Sequence, residues 1–317
     1  MRANTLAELQ AWQAILRSEI ARVLGIAERP PAPVVAEKIA ASDRGTYVEE
    51  KYRLDAGEQA QTPMYMLVPK RPPPFKAILV FHGHDASAQS MLGNFPDEAT
   101  AREQRAIDNN YAQALAQAGY LVCALEQRGL GERTTNQVSD EIPARSCRHL
   151  AFEYLMRGRT LIGERCWDGL CAINYLQTRA DILPNMLGCT GHSGGGTTAL
   201  WLAAIDARIT TLVVSGYFCS FQDSILAMRH CECNYVPGIL ALAEMGDLAA
   251  LVAPRPFRAI NGEQDPIYPT SAARQQFETV ARAYALGDAA AKCSLAIHPG
   301  AHAYHHQFAQ DWFAKWL

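Results

Sequence analysis

The chain has no long run of lysine or arginine, and its formal net charge over 317 residues is only -3. Nucleic-acid binding needs a concentrated basic patch, so no nucleic-acid partner is expected. No apolar stretch is long enough to cross a bilayer, so no membrane partner is expected either. The opening residues, MRANTLAELQAWQ, lack the apolar core of a signal peptide. The nine cysteines are an odd number and are scattered. Without an export signal they read as reduced thiols in a cytoplasm. Internal repeats and low-complexity blocks are also missing. What remains is an ordinary globular chain, 49% hydrophobic and 19% charged, long enough for one large domain or two small ones.

Thr5 and Glu8 have capping-box spacing, and Leu9, Trp12, Leu16, Ile20 and Val23 follow at helical intervals up to Gly25. ERPPAP reads as a linker, so residues 1–45 are expected to form a helix and linker ahead of a domain over 46–317. Residues 46–54 and 62–68 read as a hairpin. Beyond KRPPP the pattern changes. AILVF (77–81), YLVCALE (120–126), NMLGCTG (185–191), TLVVSG (211–216), FRAINGE (257–263) and CSLAIHP (293–299) are apolar runs with little alternation. Helical patterns at 111–119, 158–179, 194 onward, 271–286 and the C-terminus separate them. Such strands, alternating with helices, imply a parallel sheet covered on both faces. Residues 218–252 are too long for a simple crossover and are expected to form a pocket wall, together with loops 84–108 and 127–150.

Gly191-His192-Ser193-Gly194-Gly195 is a G-x-S-x-G pattern that follows an expected strand and opens an expected helix. That context makes a nucleophile elbow, with Ser193 exposed on a strained turn and Gly191 and Gly195 small because the turn is tight. The N–H of Gly194, at a helix N-terminus, can bind an oxyanion. FHGH (81–84) ends the first parallel strand, where the loop supplies the second donor, assigned to the backbone of His84. A serine needs a base, and the base an orienting acid, in the chain order serine, acid, histidine. Asp265, in the turn NGEQDPIYP, is the preferred acid, with Glu263 as its rival. His302, in HPGAH, is the preferred base, with His298, His305 and His306 as rivals.

The segments FHGH, EQRGLGER, WDGLCAINYLQTRADILPNMLGCTGHSGGG, HCECNYVPGIL, LVAPRPFRAINGEQDPIYP and HPGAH together resemble the α/β-hydrolase superfamily. Within it they are most similar to esterases related to dienelactone hydrolase and acetyl xylan esterase. The resemblance spans residues 76–317. It implies an eight-stranded, mostly parallel sheet, a Ser193-His302-Asp265 triad with Gly194 and His84 as oxyanion donors, and hydrolysis of a small-molecule ester without a cofactor. In the acetyl xylan and cephalosporin esterases a glutamine commonly follows the serine, and R-G-Q stands where this chain has Arg128-Gly129-Leu130. Both departures argue against those particular substrates.

HCECNY offers His230, Cys231 and Cys233 as metal ligands, but a zinc site needs a fourth that the sequence does not identify, so no metal is expected. Arg128, Trp167 and Asp168 read as structural. The leading reading is a serine carboxylesterase for small esters, acetyl esters among them. Its alternatives are another acyl bond (thioester, lactone or peptide) or a non-catalytic binding protein on the same fold.

Overall fold

The computed structural model describes every residue except 2, 59, 85, 86 and 136–145. Parts of the loops 84–108 and 127–150, expected to wall a pocket, therefore lie outside the described residues. Nine strands form one sheet: β1 Ala36–Asp43, β2 Tyr47–Asp55, β3 Gln61–Pro69, β4 Phe75–Phe81, β5 Leu121–Leu125, β6 Ile182–His192, β7 Thr211–Ser215, β8 Phe257–Gly262 and β9 Cys293–His298. Their order is β1-β2-β3-β5-β4-β6-β7-β8-β9. The pairs from β1 to β3, and β3 with β5, are antiparallel; all the others are parallel.

The expected eight strands become nine because residues assigned to the linker form β1. Its sequence, AEKIAASD, is exposed along nearly its whole length, so no buried face imposes alternation on it. A bulge between Lys38 and Ala40 interrupts its pairing with β2.

Ten helices are described: α1 Leu6–Leu24, α2 Ala88–Leu92, α3 Glu98–Ala106, α4 Tyr111–Gln117, α5 Cys147–Met156, α6 Leu161–Gln177, α7 Gly194–Ile205, α8 Met245–Ala250, α9 Thr270–Leu286 and α10 His306–Trp316. Alternate strand residues separate the two cores. Ile78, Val80, Val122, Val213 and Ile260 pack with α2, α4 and α10. Ala77, Leu79, Leu121, Leu212 and Ala259 pack with α1, α6, α7, α8 and α9. Burying both faces explains the unbroken apolar runs.

In α1, the Thr5 side chain accepts from Glu8 N and Gly25, at φ 76°, ends the helix. Its buried face is Leu9, Gln13, Leu16, Ile20 and Leu24. Trp12 and Val23 are only half-buried. Gln13 is buried because its Nε2 donates to the carbonyls of Ala250 and Ala253, both at 2.9 Å, which offsets the cost of dehydrating an amide. α1 therefore belongs to the same core as the helices that carry the site.

Candidate active site

The parallel strands end in register. Gly191 lies opposite Val214, His192 opposite Ser215, Ser215 opposite Ile260, and Gly262 opposite His298. The carboxyl ends of β6 to β9 thus form one rim, where open α/β sheets place ligands.

Ser193 leaves β6 with φ 54° and ψ -120°, a strained conformation for a residue with a side chain. Its N–H donates to Ser215 O at 2.9 Å, and α7 starts at the next residue. A Cβ on Gly191 would stand 2.3 Å from the Gly195 carbonyl carbon. One on Gly195 would stand 1.9 Å from Phe81 O. The turn is closed on itself and on the end of β4, so neither glycine can carry a side chain. The unpaired N–H groups of a helix N-terminus gather beside the serine.

Across the rim, His302 Nδ1 lies 2.6 Å from Asp265 Oδ2. The Asp265 side chain is 1% exposed and that of His302 22%. Asp265 follows β8, and its other oxygen accepts from Ile267 N at 2.8 Å and Tyr268 N at 3.3 Å, which fixes the carboxylate. Tyr268 in turn stacks on the His302 ring, 5.8 Å between centroids. A Cβ on Gly216 would stand 2.9 Å from His302 Cε1, so the imidazole sits directly over the end of β7, beside the strand that holds Ser193 N.

The rival residues lie elsewhere. Glu263 is exposed. His298 is buried at the end of β9, and burial lowers its pKa. His305, at φ 71°, caps α10 and stacks on Phe308 at 4.1 Å. His306 Nδ1 is 3.3 Å from Asp108. Among these four histidines, only His302 meets the acid.

His84 faces the elbow from the β4 side. A Cβ on Gly194 would stand 2.4 Å from His84 Cε1, so the imidazole fills the space that a side chain after the serine would need. That accounts for Gly194 in place of the glutamine common in the acetyl xylan group. His84 Nε2 lies 3.1 Å from Cys233 Sγ. Ligand atoms of His84, Cys231 and Cys233 lie within 4.8 Å of one another. His84, rather than His230, thus stands with the two cysteines of HCECNY. His230 turns away, its Nε2 3.3 Å from Ser224 Oγ. The nearby Cys231 thiol first, and then burial, raise the Cys147 pKa. The Cys233 pKa is lowered, first by its hydrogen bond with Cys231 and further by nearby Arg165, against the effect of burial.

Sequence reasoning passed over His192, Tyr268 and Cys147. The His192 ring is 4.5 Å from that of His302, and its Nδ1 lies 3.3 Å from Ser215 Oγ. Burial first, and then the His302 charge, hold its pKa well below the ordinary histidine value. Its place inside the G-x-S-x-G pattern was the one available signal. The residues read as structural have closed partners. Arg128 makes a bidentate pair with Asp168 and donates to Glu164 Oε2 at 2.7 Å, and Trp167 Nε1 donates to Ala56 O at 2.7 Å.

A cavity of about 620 Å³ lies between α5 and residues 221–241. Ser193, Asp265 and His302 do not line it. Two of its wall residues reach back to the rim: Asn234 accepts from Thr197 Oγ1 at 3.1 Å, and the His230 ring lies 5.8 Å from Tyr268. Residues from the segment 218–252 thus line this cavity, beside the rim that holds Ser193, Asp265 and His302. Among the described residues no helix is long and apolar enough to cross a membrane.

Residues 2–313 match the model of the Abhydrolase family. A Bacillus subtilis (strain 168) protein named "Putative hydrolase YtaP" is 27% identical over 285 residues, covering 87% of this chain and 89% of that protein. Among solved structures, one described as a "putative acetyl xylan esterase" from Bacteroides fragilis NCTC 9343 superposes with a TM-score of 0.79 at 18% identity, over 94% of this chain and 78% of its own. A glucuronoyl esterase from Solibacter usitatus superposes with a TM-score of 0.66 at 16% identity, over 96% and 93%. At these identities the two structures carry the fold.

Proposed function

This chain is an α/β-hydrolase of the Abhydrolase family, and from that premise we propose that it is a serine carboxylesterase acting on small carboxylic esters, acetyl esters among them. The observation that carries this reading is the His302 Nδ1–Asp265 Oδ2 contact of 2.6 Å on the rim that also holds the strained Ser193. Ser193 Oγ attacks the ester carbonyl, and His302 Nε2 accepts its proton. Asp265 holds the Nδ1–H tautomer and stabilises the imidazolium. The backbone N–H groups of Gly194 and His84 bind the oxyanion. The alcohol leaves with the proton from His302. Water activated by the same histidine then releases the acid from the acyl-enzyme.

A fluorophosphonate probe tests the nucleophile. It is expected to label Ser193, and a folded Ser193→Ala chain is expected neither to label nor to hydrolyse p-nitrophenyl acetate. Comparable turnover by that variant would remove Ser193 from the mechanism. Across a series of p-nitrophenyl esters, kcat/KM is expected to be highest for short acyl groups, in line with the small acyl group named for the acetyl xylan esterase neighbour. A clear optimum at long chains contradicts the small-ester assignment.

A further inference from the structure

We propose that Cys147, Cys231, Cys233 and His84 hold a zinc ion in tetrahedral coordination beside the nucleophile elbow. Three of the four ligand atoms already lie within 4.8 Å of one another. Ligands bound to one zinc at about 2.3 Å stand about 3.8 Å apart, so drawing these three together takes side-chain adjustments of roughly 1 Å, while Cys147, outside that group, closes the set by a larger side-chain movement. His84 presents Nε2, the atom 3.1 Å from Cys233 Sγ. Cys231 and Cys233 form a C-x-C pair on the short turn Glu232–Asn234. The fourth ligand comes from the first turn of α5, where Cys147 packs in the same small cluster as Cys231 and Cys233. Three cysteines and one histidine form one of the usual closed sets of structural zinc.

Apolar packing alone would explain buried cysteines. It does not explain Arg165. This arginine is 1% exposed, and Nε and Nη2 donate to Arg128 O at 3.1 and 2.7 Å. Nη2 also lies 3.2 Å from Cys147 Sγ, and Nη1 has no hydrogen-bond partner among the described residues. Arg128 and Arg133 nearby are each matched by Asp168, and Arg128 by Glu164 as well. Arg165 forms no such ion pair among the described residues; its neighbours are thiols. A buried cation needs a compensating charge. Zn²⁺ with three thiolates and a neutral imidazole carries a net charge of -1, the complement of one guanidinium. Binding displaces three thiol protons to solvent, so charge and atoms balance. Leu130, Leu150 and Leu161 pack around Cys147 and Cys233 and give the site an apolar wall on that side.

The ion would fix the His84 imidazole and, with it, the loop whose N–H is assigned to the oxyanion; this consequence alone rests on the esterase reading. The test needs no turnover. The full-length chain, purified under reducing conditions from zinc-supplemented medium, is expected to contain about one zinc per chain by elemental analysis. Exchange with Co²⁺ is expected to give the visible bands of tetrahedral cobalt and a near-ultraviolet thiolate-to-cobalt charge-transfer band. Cys147→Ser, Cys231→Ser and Cys233→Ser, each shown to be folded by circular dichroism, are expected to lose metal affinity by more than about tenfold. Fewer than about one zinc per ten wild-type chains, with no charge-transfer band on cobalt addition, would overturn the proposal. So would a Cys147→Ser chain that binds zinc as tightly as the parent. Fluorophosphonate labelling of the same samples separates the two assignments. A metal-free chain that labels at Ser193 sinks the zinc and leaves the esterase; a zinc-bound chain with an unreactive Ser193 does the reverse.

Discussion

Two histidines flank the elbow, and their surroundings differ. His302 rises over β7 against a buried carboxylate whose second oxygen accepts two backbone N–H groups. His84 lies over Gly194 from the end of β4, and its Nε2 lies against the Cys233 thiol. A carboxylate stabilises an imidazolium, so the His302 side suits a group that gains and loses a proton. The His84 ring instead packs over Gly194 and against the Cys233 thiol, so that side suits an imidazole held in place. On the proposed esterase reading, the same residue type takes a proton-transfer role on one flank and a positioning role on the other.

The largest test of this contrast replaces the proton-transfer side. His302→Ala, like Ser193→Ala, is expected to lower kcat by roughly four to six orders of magnitude, with the fold intact by circular dichroism. Asp265→Asn, which keeps the shape but favours the wrong tautomer, is expected to lower kcat about 10⁴-fold. If the His302 variant keeps near-normal turnover while His305→Ala or His306→Ala does not, the base is misassigned.

The positioning side is expected to give less. His84→Ala leaves the backbone N–H in place and is expected to cost about 10- to 100-fold in kcat with little change in the shape of the pH–rate profile. A profile that loses its acidic limb would put His84, not His302, in proton transfer. His305→Ala and His306→Ala, on residues that cap α10 and meet Asp108, are expected to cost about tenfold or less, measured as kcat/KM.

The smallest effect sharpens the electrostatics of the rim. Burial lowers the pKa of His192 well below its ordinary 6.5. Below pH 6.5 the unfolded chain binds a proton that the folded chain refuses, so stability falls as pH decreases from that point towards the folded pKa. The His192 contribution to that slope is at most about 1.4 kcal/mol per pH unit. His192→Asn is expected to flatten the fall in denaturation midpoint between pH 6.5 and 5, read by urea titration at each pH. An unchanged slope would mean that His192 is not held neutral in the folded state.

Local patterns carried much of the fold in the sequence. Both faces of the parallel strands are buried, so β4 to β9 read as apolar runs, and the hairpin at β2 and β3 was visible for the same reason of packing. β1 left no trace because its side chains face solvent and nothing constrains their type. α5 was also missed: Cys147 and Leu150 are its only buried residues, too few to print a helical period.

The chain by itself determined the elbow, since a turn closed to within 2.3 Å admits glycine alone at Gly191 and Gly195, and a steric rule with fixed spacing is written in consecutive residues. It also determined the order in which Ser193, Asp265 and His302 reach the strand ends, because parallel strands joined by helices all deliver their loops to one rim. Only the tertiary structure decided what surrounds them. His84 meets Cys233 across 149 residues, and Cys147 meets Cys231 and Arg165 between α5, α6 and the turn at Glu232. Such meetings depend on how far each helix is shifted over the sheet, a distance summed over many packed side chains. No short stretch of sequence encodes it, which is why the sequence offered His230 beside Cys231 and Cys233 and the structure brings His84 there instead.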